Sequence, residues 1–344
     1  MRSDTSRSVL VLQGGPDSER EISLRSGMTV STGLREAGFI VHAHTIQRIN
    51  SAELAALPGD VIFPILHGGW GEGGPLQDIL ASDGRPFVGC TGEAARHAMD
   101  KVATKFTALS LGIPTPRVHL LDLRDTAPPF PLPVVLKPVH EGSTVGLYVC
   151  RTLKDWVDAV EAIGRDRAAH PERVYMVEPC VCLRGGKKAR ELTVGMLDGV
   201  ALPVIEITPA IELYDYEAKY NREDTRYTLA PKLPSGVTET IQRQTVDLAK
   251  AMGVRHLARA DFMLDDDGTA WFLEINTMPG FTDHSLVPMA CRHLGMSVPE
   301  VVSKLVELAV RDHGRSQSSP AKGKRTDGLG GNGGGGQATA LASR

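Results

Sequence analysis

The sequence has no long hydrophobic run and no strong excess of charge of either sign. No apolar run approaches the ~20 residues that a membrane-spanning helix needs. The N-terminal apolar run Val9–Leu12 is shorter than a signal-peptide core of about 7–15 residues. A net charge of -3 gives no electrostatic reason to expect nucleic acid or an anionic membrane as a partner. We therefore expect a cytoplasmic protein with neither kind of partner.

Informative cysteine and glycine patterns are also missing. The five cysteines are odd in number and include no C-x-x-C pair, which argues against a disulfide framework or a zinc ribbon. Cys180 and Cys182 form a C-x-C without a second pair of ligands at metal spacing, so two ordinary cysteines at a strand end are favoured. No G-x-x-x-x-G-K-[ST] motif is present, and no G-x-G-x-x-G follows the first strand. P-loop, nicotinamide and flavin proteins are thus unsupported.

The first hundred residues alternate strands and a helix in a rhythm that predicts a parallel sheet covered by helices. The predicted elements are the strands Ser8–Gln13, Phe39–Ile46 and Asp60–Leu66 and the helix Glu19–Ala37. Two Gly-rich stretches, at 14–15 and 67–74, each follow a strand. They are expected at the carboxyl edge of the sheet, where such folds bind ligands.

The rest of the chain adds further packed units, because 344 residues are many for one core. Among the predicted helices are Asp100–Leu111, Thr152–Gly164 and Val298–Arg311. Residues 208–228 have no clean period and predict a functional loop or lid. From Gly314 onward, Gly, Ser and small polar residues predict a disordered tail.

A predicted hairpin at 257–276 is the most informative segment, with the turn signal DDDG at 265–268. If Leu264 pairs with Thr269, then Arg259 lies opposite Glu274 and Asp261 opposite Phe272. Side chains alternate along strands, so one face gathers the polar residues Arg259, Asp261, Glu274 and Asn276. The other face turns Phe262, Leu264, Trp271, Leu273 and Ile275 towards a core.

This polar face has two interpretations that spacing alone leaves open. Asp261, Glu274 and Asn276 offer the hard oxygens that Mg²⁺ takes beside phosphate and water. Alternatively, Arg259 forms a cross-strand salt bridge with Glu274, and Asp261 is solvated. Phosphoryl transfer needs cations around the phosphates and a lid that excludes water. The chain supplies such cations in Lys101, Lys137 and Lys219 and a polar turn at 141–146, which favours magnesium.

Several motifs in a fixed order resemble the D-alanine–D-alanine ligases of the ATP-grasp superfamily, from about Val9 to Val310. The matching stretches are GGPDSEREISLRSG (14–27), HGGWGEGGPLQ (67–77), MDKVATK (99–105), LKPVHEGSTVG (136–146), ELTVG (191–195), YDYEAKYN (214–221), RADF (259–262) and FLEINTMPGFTDHSLVP (272–288). The resemblance implies an N-terminal parallel α/β (pre-ATP-grasp) domain at 1–98 and a two-lobed ATP-grasp domain. Its small lobe is expected at 99–184 and its large lobe at 185–313, with a lid loop at 208–229 and the disordered tail at 314–344.

The same resemblance implies the reaction and its ligands. ATP would phosphorylate the carboxylate of one D-alanine, and the amine of a second D-alanine would displace the phosphate, giving the dipeptide of peptidoglycan. The implied cofactors are ATP and two ions of Mg²⁺ or Mn²⁺, and the family habit is a homodimer.

Residue roles follow by position. For ATP, the implied ligands are Lys101, Lys137, Ser143, Thr144, Glu178, Glu191 and Lys219, with Glu178 at the adenine amino group and Glu191 at the ribose. For the metal, they are Asp261, Glu274 and Asn276. Glu19 would bind the first ammonium in a hydrogen-bonded set with Ser143 and Tyr220, and Arg259 would steady the oxyanion. His67 would lie near the second substrate, whose carboxylate would be received at Ser285 and Leu286.

Three alternatives remain beside this prediction. Tyr220 favours an amine acceptor, whereas D-lactate ligases carry phenylalanine there. A nucleotide-binding protein without ligase activity would have lost groups such as Arg259 or Asp261, and these are present. An ATP-grasp ligase of other substrate choice is disfavoured by Glu19 and Ser285. The connection at 183–190 is longer and more basic than in the family, which makes Glu178 a weaker assignment than Glu191.

Overall fold

The N-terminal part of the computed structural model is built on a three-stranded parallel sheet. The structure describes residues 7–142, 146–182, 189–208 and 225–318, with only the backbone for 316–318. Strands β1 (Ser8–Gly14), β2 (Ile40–Ile46) and β3 (Val61–Pro64) lie in the order β2-β1-β3. The four residues at 9–12 in β1 are fully buried, as expected for a central strand covered on both faces.

Helices cover both faces of this sheet, as the sequence predicts. One face carries α1 (Arg20–Glu36) and the C-terminal helix α10 (Val298–Ser318), whose apolar side chains pack against those of β1 and β3. The other face carries α2 (Ser51–Ala55) and α4 (Pro75–Asp83). The one-turn helix α3 (Gly68–Glu72), not predicted from the sequence, lies between β3 and α4. The last described helix therefore packs back on the first unit.

The second unit is an antiparallel sheet reached through α5 (Gly92–Met99) and α6 (Lys101–Ser110). Its strands have the order β4-β7-β5-β6. They are β4 (His119–Leu120), β5 (Val134–Pro138), β6 (Tyr148–Cys150) and β7 (Tyr175–Pro179). Helix α7 (Leu153–Ala169) covers the sheet by burying Trp156 and Ile163. Thr152 caps α7 through a capping box with Asp155, which fixes where the helix begins.

The third unit is a five-stranded antiparallel sheet in the order β10-β9-β8-β11-β12. Its strands are β8 (Arg190–Leu197), β9 (Val200–Thr208), β10 (Arg226–Leu229), β11 (Leu257–Leu264) and β12 (Ala270–Asn276). Helix α8 (Val237–Ala251) packs on this sheet, in the apolar core that contains Phe262 and Phe272. Helix α9 (Leu286–His293) packs in a different core, which the sheet shares with the N-terminal unit.

Two predicted helices end later than expected. Helix α7 continues to Ala169 instead of Gly164, and α10 continues to Ser318, so the tail predicted from Gly314 begins too early. A single Gly costs a helix only about 1 kcal/mol. Asp312 also anchors the end of α10, because its carboxylate contacts His256 and Arg311. Residues 319–344 lie outside the described structure.

The predicted pairing of the hairpin is wrong by one residue from the turn onward, since Leu264 pairs with Ala270 instead of Thr269, and by a second residue beyond a β-bulge. Phe262 pairs with Phe272, but Asp261 pairs with Glu274 and Arg259 with Asn276, so Leu273 is an extra residue on β12. A bulge turns the chain's faces over locally. Phe272 therefore lies in the core against Phe262, with ring centroids 5.8 Å apart, instead of on the polar face. The shared polar face itself is confirmed, since opposite residues of an antiparallel pair point to the same side.

Candidate functional site

The carboxyl edge of the parallel sheet brings together the two Gly-rich motifs. Ser23 on α1 accepts from Gly14 N at 2.8 Å and donates to Ile65 O, so it joins the end of β1 to the segment that follows β3. Glu19 immediately precedes α1, and His67 immediately precedes α3. Both side chains are buried. The predicted location of the two Gly-rich stretches at the carboxyl edge of the sheet is confirmed.

A second group of residues closes in on His67 from the C-terminal part of the chain. A Cβ at Gly280 would lie 3.0 Å from Ser285 Oγ and 3.9 Å from His67 Nε2, so this glycine brings the two side chains near each other. Ser285 is the N-cap of α9, and its hydroxyl accepts from Thr282 N at 2.8 Å. The Leu286 side chain is buried in the core, which leaves only its backbone to face this region.

A neighbouring cleft lies between the two antiparallel sheets. The four-stranded sheet and the loop after it contribute Lys137, Pro138, Glu141, Gly142 and Leu147, and the five-stranded sheet contributes Glu191, Asp261, Leu273 and Glu274. Lys101, at the start of α6, lines the same cleft, which continues along Asn276 and Glu72. Five residues predicted for the site therefore line the same cleft, namely Lys101, Lys137, Glu191, Asp261 and Glu274. A sixth, Asn276, lines its continuation.

Opposite charges face each other in this cleft. Lys101 Nζ lies 3.3 Å from Glu274 Oε2 and also donates to the backbone carbonyl of Glu141. Arg259 contacts both carboxylate oxygens of Asp261, through Nε at 2.9 Å and a terminal nitrogen at 2.8 Å. Asp261 is therefore not the solvated carboxylate of the salt-bridge interpretation. Asn276 Oδ1 accepts from Met278 N at 2.8 Å, which fixes the orientation of its amide.

Glu178 is buried beneath the cleft and does not line it. Its Oε1 lies 2.6 Å from Lys137 Nζ, and its Oε2 lies 2.9 Å from Lys105 Nζ. Burial alone would raise the pKa of Glu178, but the two lysines outweigh burial and hold that pKa below its usual value. The Glu178 carboxylate is thus paired with Lys105 and Lys137, whereas Glu191 lines the cleft.

Several residues of the site were not singled out from the sequence. Thr193 donates from Oγ1 to Asp261 Oδ1 at 2.6 Å; it lies two residues after Glu191 on β8, a spacing that puts both on one face. Lys105 follows Lys101 by one helical turn. The bulge residue Leu273 lines the cleft, although it was expected in the core. Asp17, whose pKa is raised by burial and by Glu141 and Glu19, accepts from Trp70 N.

Four residues predicted from the resemblance lie outside the described structure, namely Ser143, Thr144, Lys219 and Tyr220. Gly142 is the last described residue before Ser143 and Thr144. A Cβ at Gly142 would be 3.6 Å from Glu19 Oε2, and Gly142 also lines the cleft. The region around Glu19 and the cleft between the sheets are therefore contiguous.

A parallel α/β unit followed by two antiparallel sheets, with lysines on one wall of the cleft between them and strand carboxylates on the other, defines an ATP-grasp enzyme. Comparisons with known proteins agree. The family model for the D-ala D-ala ligase C-terminus matches residues 122–307. The D-alanine–D-alanine ligase of Dechloromonas aromatica is 40% identical over 311 residues, which cover 88% of this chain and 98% of that protein.

Solved structures give the same result. The D-alanine–D-alanine ligase of Coxiella burnetii superposes with a TM-score of 0.76 at 26% identity, covering 91% of this chain and 96% of that one. The Bacillus anthracis enzyme in complex with ATP gives 0.74 at 25% identity, covering 90% and 99%. The chain belongs to the D-alanine–D-alanine ligase family and is a ligase. No helix in the described part of the chain is long and apolar enough to cross a membrane.

Proposed function

We propose that this protein uses ATP to join two D-alanines into D-alanyl-D-alanine for peptidoglycan synthesis. The observation that carries the proposal is the position of Gly142, which lies beside Glu19 and also lines the cleft between the sheets. A substrate whose ammonium is held at Glu19 can therefore extend its carboxylate towards phosphates bound in that cleft.

The cleft residues suit an ATP molecule whose phosphates point to the acidic strands. Lys101 and Lys137 would hold the phosphates, with the turn at 143–144 over them and Lys219 reaching the last phosphate from the lid. Glu191, on the large-lobe wall, would accept from the ribose. Glu178 forms ion pairs with Lys105 and Lys137, and its role at the adenine amino group is the one that the resemblance implies.

The donor set also suits Mg²⁺ or Mn²⁺. Asp261 and Glu274 face each other as a carboxylate pair beside the amide of Asn276, and Mg²⁺ binds through one or two carboxylates plus phosphate oxygens and water. These three side chains would hold the two ions that the resemblance implies. A bound ion would neutralise phosphate charge.

The reaction would proceed in two steps. An oxygen of the first D-alanine carboxylate attacks the γ-phosphorus of ATP, the bond to the β-phosphate oxygen breaks, and ADP leaves with that electron pair. The amine of the second D-alanine then attacks the acyl phosphate carbon, and phosphate departs with the carboxylate oxygen as the amine loses a proton. Arg259 would stabilise the oxyanion that forms between these events. Glu19, with Ser143 and Tyr220, would orient the first substrate.

The second substrate would bind near His67. Its carboxylate would be received by the Ser285 hydroxyl and the backbone N–H of Leu286, at the N-terminus of α9, where the helix dipole favours an anion. Because Ser285 and His67 approach each other across Gly280, this region would adjoin the edge at which the first substrate is held.

A direct assay tests the proposal. Purified protein with D-alanine, ATP and Mg²⁺ is expected to release ADP and phosphate in equal amounts and to form the dipeptide. D-Serine and D-lactate are offered as competing acceptors, and Tyr220 predicts a preference for the amine. ATP that binds without being consumed with any acceptor would favour a non-catalytic nucleotide-binding protein. A cytoplasmic location, where ATP is available, and a homodimer are also expected; light scattering of the purified protein tests the dimer.

A further inference from the structure

A buried cluster of three charges lies directly under the cleft between the two antiparallel sheets. Glu178 forms ion pairs with two lysines: its Oε1 lies 2.6 Å from Lys137 Nζ, and its Oε2 lies 2.9 Å from Lys105 Nζ. The side chains of Lys105 and Glu178 are 2% and 4% exposed, whereas Lys137 is 10% exposed and lines the cleft. Lys105 therefore sits on the far side of Glu178 and does not line this cleft.

Lys105 is fixed from three directions. Besides Glu178, its ammonium donates to Thr115 Oγ1 at 2.9 Å and to Pro116 O at 3.1 Å. Thr115 in turn donates to Phe272 O at 2.8 Å, beside the bulge that leads to Glu274. An ammonium held by two hydrogen bonds and an ion pair is costly to disturb, because each buried charge needs its partners.

The charges in this cluster do not balance. Two ammonium groups share one carboxylate, which leaves about one excess positive charge beside the space that the phosphates would occupy. If Lys137 alone neutralised Glu178, its attraction to a phosphate would compete with that ion pair. Lys105 supplies a second counter-charge, so the Lys137 ammonium can turn to a phosphate without leaving Glu178 buried and unpaired. Burial lowers the pKa of Lys105 to about 8 against the opposing pull of Glu178, as expected for a cation held in so dry a place.

We propose that Lys105 is a positioning residue that holds Glu178 and so makes Lys137 available to the phosphates of ATP. This inference rests on the proposed function in two respects: that the bound nucleotide is ATP, and that Lys137 contacts its phosphates. Lys105 itself does not touch the reacting atoms.

A double-mutant cycle tests the proposal by calorimetric titration of MgATP, without D-alanine. The proteins are the wild type, Lys105→Met, Glu178→Gln and the double variant. Lys105→Met is expected to weaken ATP binding by about 10- to 100-fold, because a buried charge loses its partner. In the Glu178→Gln background the same change is expected to cost less than about threefold, because there is no carboxylate left to compete for Lys137. Lys154→Met, at an exposed lysine of α7, is the matched control and is expected to leave ATP binding unchanged.

Other readouts separate positioning from packing. The KM for D-alanine is expected to stay unchanged in Lys105→Met, whereas a merely structural role would lower the melting temperature without changing ATP affinity. The proposal would be overturned if Lys105→Met reduced ATP affinity equally in the wild-type and Glu178→Gln backgrounds, or if it caused no reduction in the wild-type background. If Lys105→Met does not fold, Thr115→Val takes its place, with an expected loss of about three- to tenfold; unchanged ATP affinity there would overturn the proposal equally. Dipeptide formation by the wild type tests the proposed function separately.

Discussion

Asp261 and Glu274 lie directly opposite each other on β11 and β12, next to the bulge that turns Phe272 into the core. Two carboxylates in this position repel each other. Arg259 offsets the charge of Asp261, and Lys101 lies 3.3 Å from Glu274. Each carboxylate thus has its own cation, while the pair still faces a cleft that also holds Lys137. This arrangement suits a divalent cation and phosphates together.

Replacement of one of these carboxylates tests the metal assignment. Asp261→Asn keeps the size of the side chain and removes its charge. We expect kcat/KM to fall by at least about 100-fold, since loss of residues that only support metal ligands already costs 10- to 100-fold. High Mg²⁺ is expected to restore part of the activity, because the lost term is metal affinity.

Asp266→Asn, in the turn of the same hairpin, is the matched control. It is exposed and lies away from the cleft, so its Mg²⁺ dependence is expected to match that of the wild type. An Asp261→Asn variant with the wild-type Mg²⁺ dependence would rule out Asp261 as a metal ligand.

Glu19 should act on the first substrate alone. Glu19→Gln removes the charge that would face an ammonium, and a hydrogen bond to a charged group is worth enough to raise the KM for the first D-alanine about 10- to 100-fold. The KM for ATP is expected to stay unchanged. Steady-state kinetics that resolve the two D-alanine sites measure this, with Glu21→Gln, exposed in the same helix turn, as the control. A parallel rise in the KM for ATP would contradict the assignment.

His256 links β11 to the N-terminal part of the chain in a neutral form. Gly89 N donates to its Nδ1 at 3.0 Å, so the ring proton sits on Nε2, which lies 3.2 Å from Asp312 Oδ2. Burial, followed by the positive charge of Arg255, lowers its pKa from 6.5 to about 4, against the opposing effect of Asp312. The backbone of His256 has φ +65°, a conformation that Asn also tolerates.

This histidine should make the protein sensitive to acid. Between pH 6.5 and about 4 the unfolded chain binds a proton at His256 that the folded protein does not, so the free energy of unfolding falls as the pH falls. Over this pH range the free energy of unfolding is expected to fall by about 3 kcal/mol in total, at 1.36 kcal/mol per unit of the pKa difference. Urea unfolding at pH 7, 6, 5 and 4.5 measures it. His256→Asn is expected to flatten this dependence, and an unchanged slope would contradict the prediction.

The parts of this protein that could be predicted from its sequence are those set by local periodicity and composition. The parallel β1-α1-β2 arrangement and the polar face of the hairpin follow from such patterns, because a residue's face depends only on its near neighbours. The pairing register of the hairpin does not follow from such patterns. The bulge at Leu273 depends on how β12 packs against Pro114 and Thr115, which bond to Phe272 and lie far from it in sequence.

The same distinction explains the residues that were missed. Lys105 resembles many exposed lysines in sequence, and only the meeting of α6 with β7 buries it against Glu178. Thr193 is recognisable only once β8 is known to pair with β11, opposite Asp261. The extension of α10 past Gly314 likewise depends on Asp312 reaching His256, a contact across 56 residues.

The most direct test follows an oxygen atom. The protein is supplied with ATP, Mg²⁺ and D-alanine whose carboxylate carries ¹⁸O at both positions, and the released phosphate is analysed by mass spectrometry. If ATP bound in the cleft beside Glu19 phosphorylates the carboxylate of the first D-alanine, one labelled oxygen leaves with each phosphate. Each phosphate released with dipeptide then carries one ¹⁸O, and ADP carries none. Dipeptide formed together with unlabelled phosphate would contradict the account, because the carboxylate oxygen would then never have been bonded to the γ-phosphorus.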